Sequence, residues 1–167
     1  MLFHISEESD IRQFTPRTAP SIADPVVWAI DAHHLRNYLL PRDCPRVTYS
    51  AAGTTIDADR ARFLAEGHRA VVAIESGWME RVRSARLFCY HLPRDTFELL
   101  DAFAGYFVSR ASVTPASVEL IADVESRLRA QQVDLRVLPN LWTLHDAIAA
   151  SSLEFSMIRM RNAQPRC

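Results

Sequence analysis

Residues 85–92, ARLFCYHL, followed by GYFVS at 105–109 and SVELI at 117–121, decide the fold class. The first stretch alternates, so it reads as a half-buried strand with Leu87, Cys89 and His91 on one face and Phe88, Tyr90 and Leu92 on the other. Pro115 keeps the next two stretches from being one continuous central strand, because proline has no N–H for the ladder. The middle of the chain is therefore a run of strands. Before it, strands and helices alternate. Val26–Ile30 (VVWAI) reads as a strand, with Asp31 placed to cap a helix running to about Leu40, where Pro41 stops it. RVTYS at 46–50 is a further strand, Asp57 is positioned to cap a helix that ends at Gly67, and AVVAIE at 70–75 is a buried strand. Ser76 can then cap the short helix GWMERVR.

After the strand run, Asp123 caps the helix DVESRLRAQQ, VDLRVLP alternates again, and Leu141, Leu144 and Ile148 have helical spacing. Ser151 and Glu154 form a capping-box pair that would restart a helix. At the other end, Leu2–Ile5 is a strand or a single helical turn, and Phe14–Pro25, with Pro16, Pro20 and Pro25, reads as an extended surface loop. This order predicts an α+β fold with mixed or antiparallel sheets and flanking helices. It also predicts one domain over 1–162 and a frayed tail at 163–167.

With 167 residues, 49% of them hydrophobic, the chain is long enough to bury a core without covalent or metal staples. Its 19 basic residues are all arginine, against 20 acidic ones, for a formal net charge of -1. No bulk charge draws it to a polyanion, so charge alone gives no reason to expect nucleic acid as a partner. The absence of lysine removes Schiff-base chemistry and the Walker lysine, and the four glycines Gly53, Gly67, Gly77 and Gly105 spell no phosphate-cradling loop. Three cysteines, Cys44, Cys89 and Cys167, make no CxxC and suit a reducing compartment. The N-terminal MLFHISEESDIR has neither a basic stretch nor a long apolar run, so the expectation is a cytoplasmic protein without a membrane span.

The histidines offer no metal-ligand spacing: His33 and His34 are adjacent, about 100° apart on a helix, and His68, His91 and His145 are scattered. The expectation is no metal. Asp31 and His34, at i and i+3, can pair. Cys44 lies between Arg42 and Arg46, whose guanidinium groups would favour a thiolate, while Asp43 opposes them; a packed or exposed cysteine is the default. No GxSxG is present. Arg81, Arg83 and Arg86, and separately Arg159 and Arg161, are clustered enough to hold a phosphate backbone or a protein partner, which would make this a non-enzymatic interaction protein. His4 sits inside the apolar run LFHIS, where a buried imidazole needs a partner.

Three stretches, LFHISEESDIRQFTPR, PVVWAIDAHHLRNYLLPRDCPRV and LWTLHDAIAASSLEFSMIRMRNA, resemble an uncharacterised bacterial family, a domain of unknown function, over nearly the whole chain. A first strand with a central histidine, a second strand with an aromatic followed by a helix, and the late pattern GYFVSRASVTPASVELI resemble the ADP-ribosyltransferase-like fold. That resemblance implies a cleft for NAD or another nucleotide. It gives His4, Ser6, Trp28, Tyr38 and Tyr106 as the cofactor-binding residues, with an aromatic stacked on nicotinamide. It also implies a glutamate at a late strand that stabilises an oxocarbenium-like state. Here the chain departs from the pattern: where the family has Glu before an aromatic and a β-branched residue, it reads Gly105-Tyr106-Phe107. Glycine cannot stabilise positive charge, so Glu75, Glu98 or Asp101 would have to take that role, with Glu75 and Glu98 the catalytic candidates.

Overall fold

The computed structural model describes residues 1–19 and 22–166. Pro20 and Cys167 lie outside the described residues. The fold is α+β, with one antiparallel sheet, one mixed sheet and short flanking helices. Chain contacts divide into two compact units, each assembled from separated segments: 1–39 with 86–122, and 40–85 with 123–167.

In the first unit an antiparallel sheet contains β1 (Leu2–Ser6), β2 (Arg17–Ala19) and β3 (Ile22–Ile30). Its later strands are β6 (Leu87–Leu92), β7 (Glu98–Asp101), β8 (Tyr106–Ser109) and β9 (Ser117–Ile121). The order is β7-β8-β3-β1-β6-β9, with β2 added on β3. Alternation along β6 is as expected. Tyr90 and Leu92 join Leu2, Val27, Ala29, Phe97, Phe107 and Val113 in an apolar core, with Phe88 packed against it, while Leu87 and Cys89 are buried on the other face.

Two expectations for this unit are corrected. The proline-bearing segment 14–25 is not a loop throughout: Phe14 bridges to Val113, and β2 and the first half of β3, including Pro25, are strand. Pro25 is tolerated because this half of β3 pairs only with the three-residue β2, whereas β8 joins from Val27 onward, so no second ladder asks for its missing N–H. Asp31 does accept the His34 N–H at 2.8 Å, as a cap would, but the chain then enters the 3-10 turn Leu35–Tyr38 rather than an α-helix to Leu40. The same carboxylate also holds the His34 imidazole, which tightens the turn. Strand β7 has no counterpart among the strands expected from sequence.

The second unit holds the mixed sheet β10-β5-β4-β11, made of β4 (Arg46–Ser50), β5 (Ala70–Glu75), β10 (Val133–Leu138) and β11 (Glu154–Ile158). Strands β5 and β10 run parallel, and the other pairs are antiparallel. Every residue of β5 is buried, which is why AVVAIE reads as a continuous apolar run. Around the sheet lie α1 (Asp57–Phe63), α2 (Met79–Ser84), α3 (Val124–Ala130) and α4 (Trp142–Ala149). Its core contains Val47, Tyr49, Phe63, Val71, Ala73, Leu141, Ile148 and Leu153.

Asp123 caps α3 as predicted, accepting the Ser126 N–H at 2.9 Å. Asp57 does not cap α1 but is its first residue; the Ile56 N–H is met instead by Ser152 Oγ at 3.0 Å, and Gly67 falls in a later turn at φ 81°. Ser151 and Glu154 start no helix. Ser151 Oγ closes α4 on the Ile148 carbonyl, and Glu154 opens β11, because pairing with β4 outweighs the local capping pattern.

Candidate functional site

A hollow of 320 Å³ opens over β1 and β3 in the first unit, lined by Phe3, His4, Ile5, Trp28, Ala29, Ile30, Tyr38 and Tyr106. The β1–β3 ladder is one pair long, Phe3 opposite Ile30. Beyond it the His4 imidazole bridges the strands, Nδ1 standing 3.0 Å from the Trp28 carbonyl. A carbonyl only accepts, so Nδ1 carries the proton and donates.

His4 and Trp28 both border the hollow, but their rings rest on different neighbours. His4 stacks at a tilt on Phe14, 4.8 Å between centroids, and Phe14 meets the core residue Tyr90. Trp28 meets Tyr106 edge-on at 5.6 Å. Strand alternation gives the reason. Phe3 pairs with Ile30, so Phe3, Ile5, Trp28 and Ile30 share one face, and His4 between them turns to the other. Tyr106, opposite Ile30, joins the Trp28 face, and the Tyr38 and Tyr106 hydroxyls are hydrogen-bonded to each other. The result is a half-buried wall of three aromatic rings over a floor of Phe3, Ile5 and Ile30.

Immediately before Tyr106, Gly105 adopts φ +68°. A Cβ there would sit 2.1 Å from His34 Nδ1 and 2.8 Å from Asp31 Oδ2. A residue with a side chain at this position would have to displace what stands behind Tyr106. The occupants are an Asp–His pair, with the imidazole N–H donating to Asp31 at 2.9 Å and the His34 side chain only 9% exposed. Asp31 also ties its own N–H to the Gly105 carbonyl at 3.2 Å. The spacing of Asp31 and His34 is visible in the sequence, but their fit against Gly105 is not.

The remaining candidates stand elsewhere. Ser6 Oγ accepts the Glu8 N–H at 3.1 Å and is not among the lining residues. Glu98 is exposed on β7 and bonds Arg110 at 3.1 Å. Asp101 accepts the N–H groups of Phe103 and Ala104. Glu75, in the second unit, is 2% exposed and accepts the Leu141 N–H at 3.3 Å and the Gln164 N–H at 3.0–3.1 Å. None of the lining residues is a carboxylate.

Cys44 is fully buried, and burial pushes its thiol up to about 12 against the pull of Arg46 and Arg81. It is a packed cysteine. Arg46, itself 2% exposed, spends its guanidinium on the Pro41 and Cys44 carbonyls at 3.1 and 2.9 Å, which fixes the PRDCP loop. Of the arginine clusters, Arg81 lies over the Trp78 ring at 4.7 Å, and Arg83 pairs with Glu125 at 2.8 Å. Among the described residues no helix is long and apolar enough to cross a membrane.

Residues 3–163 match the family described as "Family of unknown function (DUF6886)", and the chain belongs to that family. No curated protein and no solved structure matches it.

Proposed function

We propose that the hollow over β1 and β3 binds the flat heteroaromatic ring of a nucleotide, with the nicotinamide end of NAD as the foremost occupant. The reading rests on one observation: Trp28, Tyr38 and Tyr106 stand half-buried as a continuous aromatic wall, with two of their hydroxyls joined at its edge. Rings of this kind hold a planar ligand by dispersion over its face, and the hydroxyls supply polar orientation. A volume of 320 Å³ is at the low end for a ligand pocket, so it suits one ring and its ribose better than a whole dinucleotide.

In this reading His4 is a positioning residue, since its N–H holds the Trp28 carbonyl and so fixes where the indole stands. With no carboxylate in the lining, the site is read as a binding site, and no bond cleavage is assigned to it.

The test is a titration of the full chain with NAD, nicotinamide mononucleotide and adenosine separately, followed by melting temperature. A ligand that binds only the folded chain raises the melting temperature by mass action. NAD and the mononucleotide should do so, with Trp28→Ala abolishing the shift and Tyr106→Phe weakening it. Absence of any shift at millimolar NAD overturns the proposal, and a shift with adenosine alone reassigns the pocket to the base.

A further inference from the structure

A second constellation lies on the face of β6 that carries Leu87, Cys89 and His91. Cys89 pairs with Glu119 across β6 and β9, and His91 comes two residues later on β6. Register and alternation therefore deliver a thiol, an imidazole and a carboxylate to one side of the sheet. One donor atom from each lies within 4.8 Å of the other two. His91 Nε2 is buried without a hydrogen-bond partner among the described residues, and stands 3.9 Å from Glu119 Oε2. The Phe3 ring meets the imidazole edge-on at 5.1 Å and limits its rotation.

A buried imidazole nitrogen with no hydrogen-bond partner costs free energy, and a cation resolves that cost where a thiol and a carboxylate face the same point. We propose that Cys89, His91 and Glu119 bind one zinc ion. Thiolate, imidazole and carboxylate are the three side-chain types zinc takes, at about 2.0–2.3 Å. Ligand atoms around one tetrahedral ion stand roughly 3.3–3.7 Å apart at those bond lengths. The observed cluster reaches that spacing by closing about 1 Å, within the range of side-chain adjustment.

Magnesium and calcium, which prefer all-oxygen sets, fit poorly. Charge also balances, because one thiolate and one carboxylate neutralise a divalent ion. Binding releases the Cys89 thiol proton to solvent as the Zn–S bond forms. A nucleophilic cysteine would need substrate at its sulfur, whereas Cys89 is wholly buried. An ion needs only a narrow entry, and the Glu119 side chain, 42% exposed, supplies one. Three protein ligands leave the fourth position to water.

Cobalt(II) is the probe, because its thiolate complexes absorb in the near ultraviolet. Chelator-treated full-length protein, titrated with cobalt, should give a thiolate charge-transfer band saturating at one equivalent, which zinc then bleaches. Glu119→Gln, at a half-exposed position that leaves packing alone, should weaken cobalt affinity by at least about tenfold, as should His91→Gln. Cys89→Ser should remove the band, while a Cys44→Ala, Cys167→Ala double variant keeps it. The proposal is overturned if wild type shows no band, if the band is indifferent to Glu119→Gln and His91→Gln, or if it depends on Cys44 or Cys167. No nucleotide enters this experiment, so its outcome is independent of the hollow.

Discussion

The imidazole of His34 donates to the carboxylate of Asp31 at 2.9 Å, and together they fill the space a Cβ on Gly105 would need. Substitution at Gly105 therefore carries both the positive-φ penalty and a collision with a nearly buried ring. Gly105→Ala should destabilise by about 2–4 kcal/mol, read as a lower denaturant midpoint with the slope unchanged. In the His34→Ala background the same substitution should cost less, because the collision is relieved while the backbone strain persists. Equal costs in both backgrounds would show that contact with His34 is not what excludes a side chain here.

Glu75 is a buried carboxylate whose oxygens are spent on main-chain N–H groups of Leu141 and Gln164. Glu75→Gln turns one acceptor into a donor facing an N–H, and should cost about 1–3 kcal/mol. Thermal denaturation checks it. A variant as stable as wild type would mean that these bonds contribute nothing net.

The segment beyond Asn162 carries its own set of contacts. Trp142 Nε1 donates to the Gln164 carbonyl at 2.7 Å, Arg166 makes a two-point pair with Asp146 at 2.7 and 3.0 Å, and its guanidinium lies over the Trp142 ring at 4.1 Å. Arg166 foremost, then His145, lowers the Asp146 carboxyl from 3.8 to about 2. A depressed carboxyl pKa means that the tether is at full strength above pH 3.8 and is lost as pH falls toward 2. The protection factor of the Gln164 amide, its exchange rate corrected for the intrinsic pH dependence, should fall over that window, and Asp146→Ala should lower it already at neutral pH.

Cys44 runs in the opposite direction. Its thiol is raised from 9.0 to about 12, so its contribution is complete below pH 9.0 and declines as pH rises toward 12. The native chain should leave Cys44 unmodified by iodoacetamide at pH 8, and alkaline destabilisation between pH 9 and 12 should be shallower in Cys44→Ala. Rapid labelling of Cys44 in the folded protein would contradict its burial.

How much of this fold is legible in the sequence depends on the range of the interactions involved. Alternation within β6 and the Asp123 cap depend on neighbours a few residues away, and both are found as expected. The 3-10 turn after Asp31 and strand β11 differ from expectation because a locally sound helix signal loses to a distant partner: His34 against Gly105 in one case, β4 in the other. At the hollow, Trp28, Tyr38 and Tyr106 meet only through the pairing of β3 with β8 and the turn after β3, and which way His4 faces depends on the Phe3–Ile30 register. Cys89 and His91 can be placed on one face from their spacing. That Glu119 joins them requires the pairing of β6 with β9, which no local pattern encodes.

The interleaving of segments has a bearing on synthesis. The first unit needs residues 1–39 together with 86–122, and the second needs 40–85 together with 123–167. A nascent chain leaving the ribosome can therefore finish neither unit early. Strands β1 and β3 emerge with open hydrogen-bonding edges that β6 and β8 later pair, and they must wait until residue 109 has been translated. Slow elongation through the middle of the message would prolong that exposed interval, so in the cell, yield should depend on chaperone supply more than on final stability.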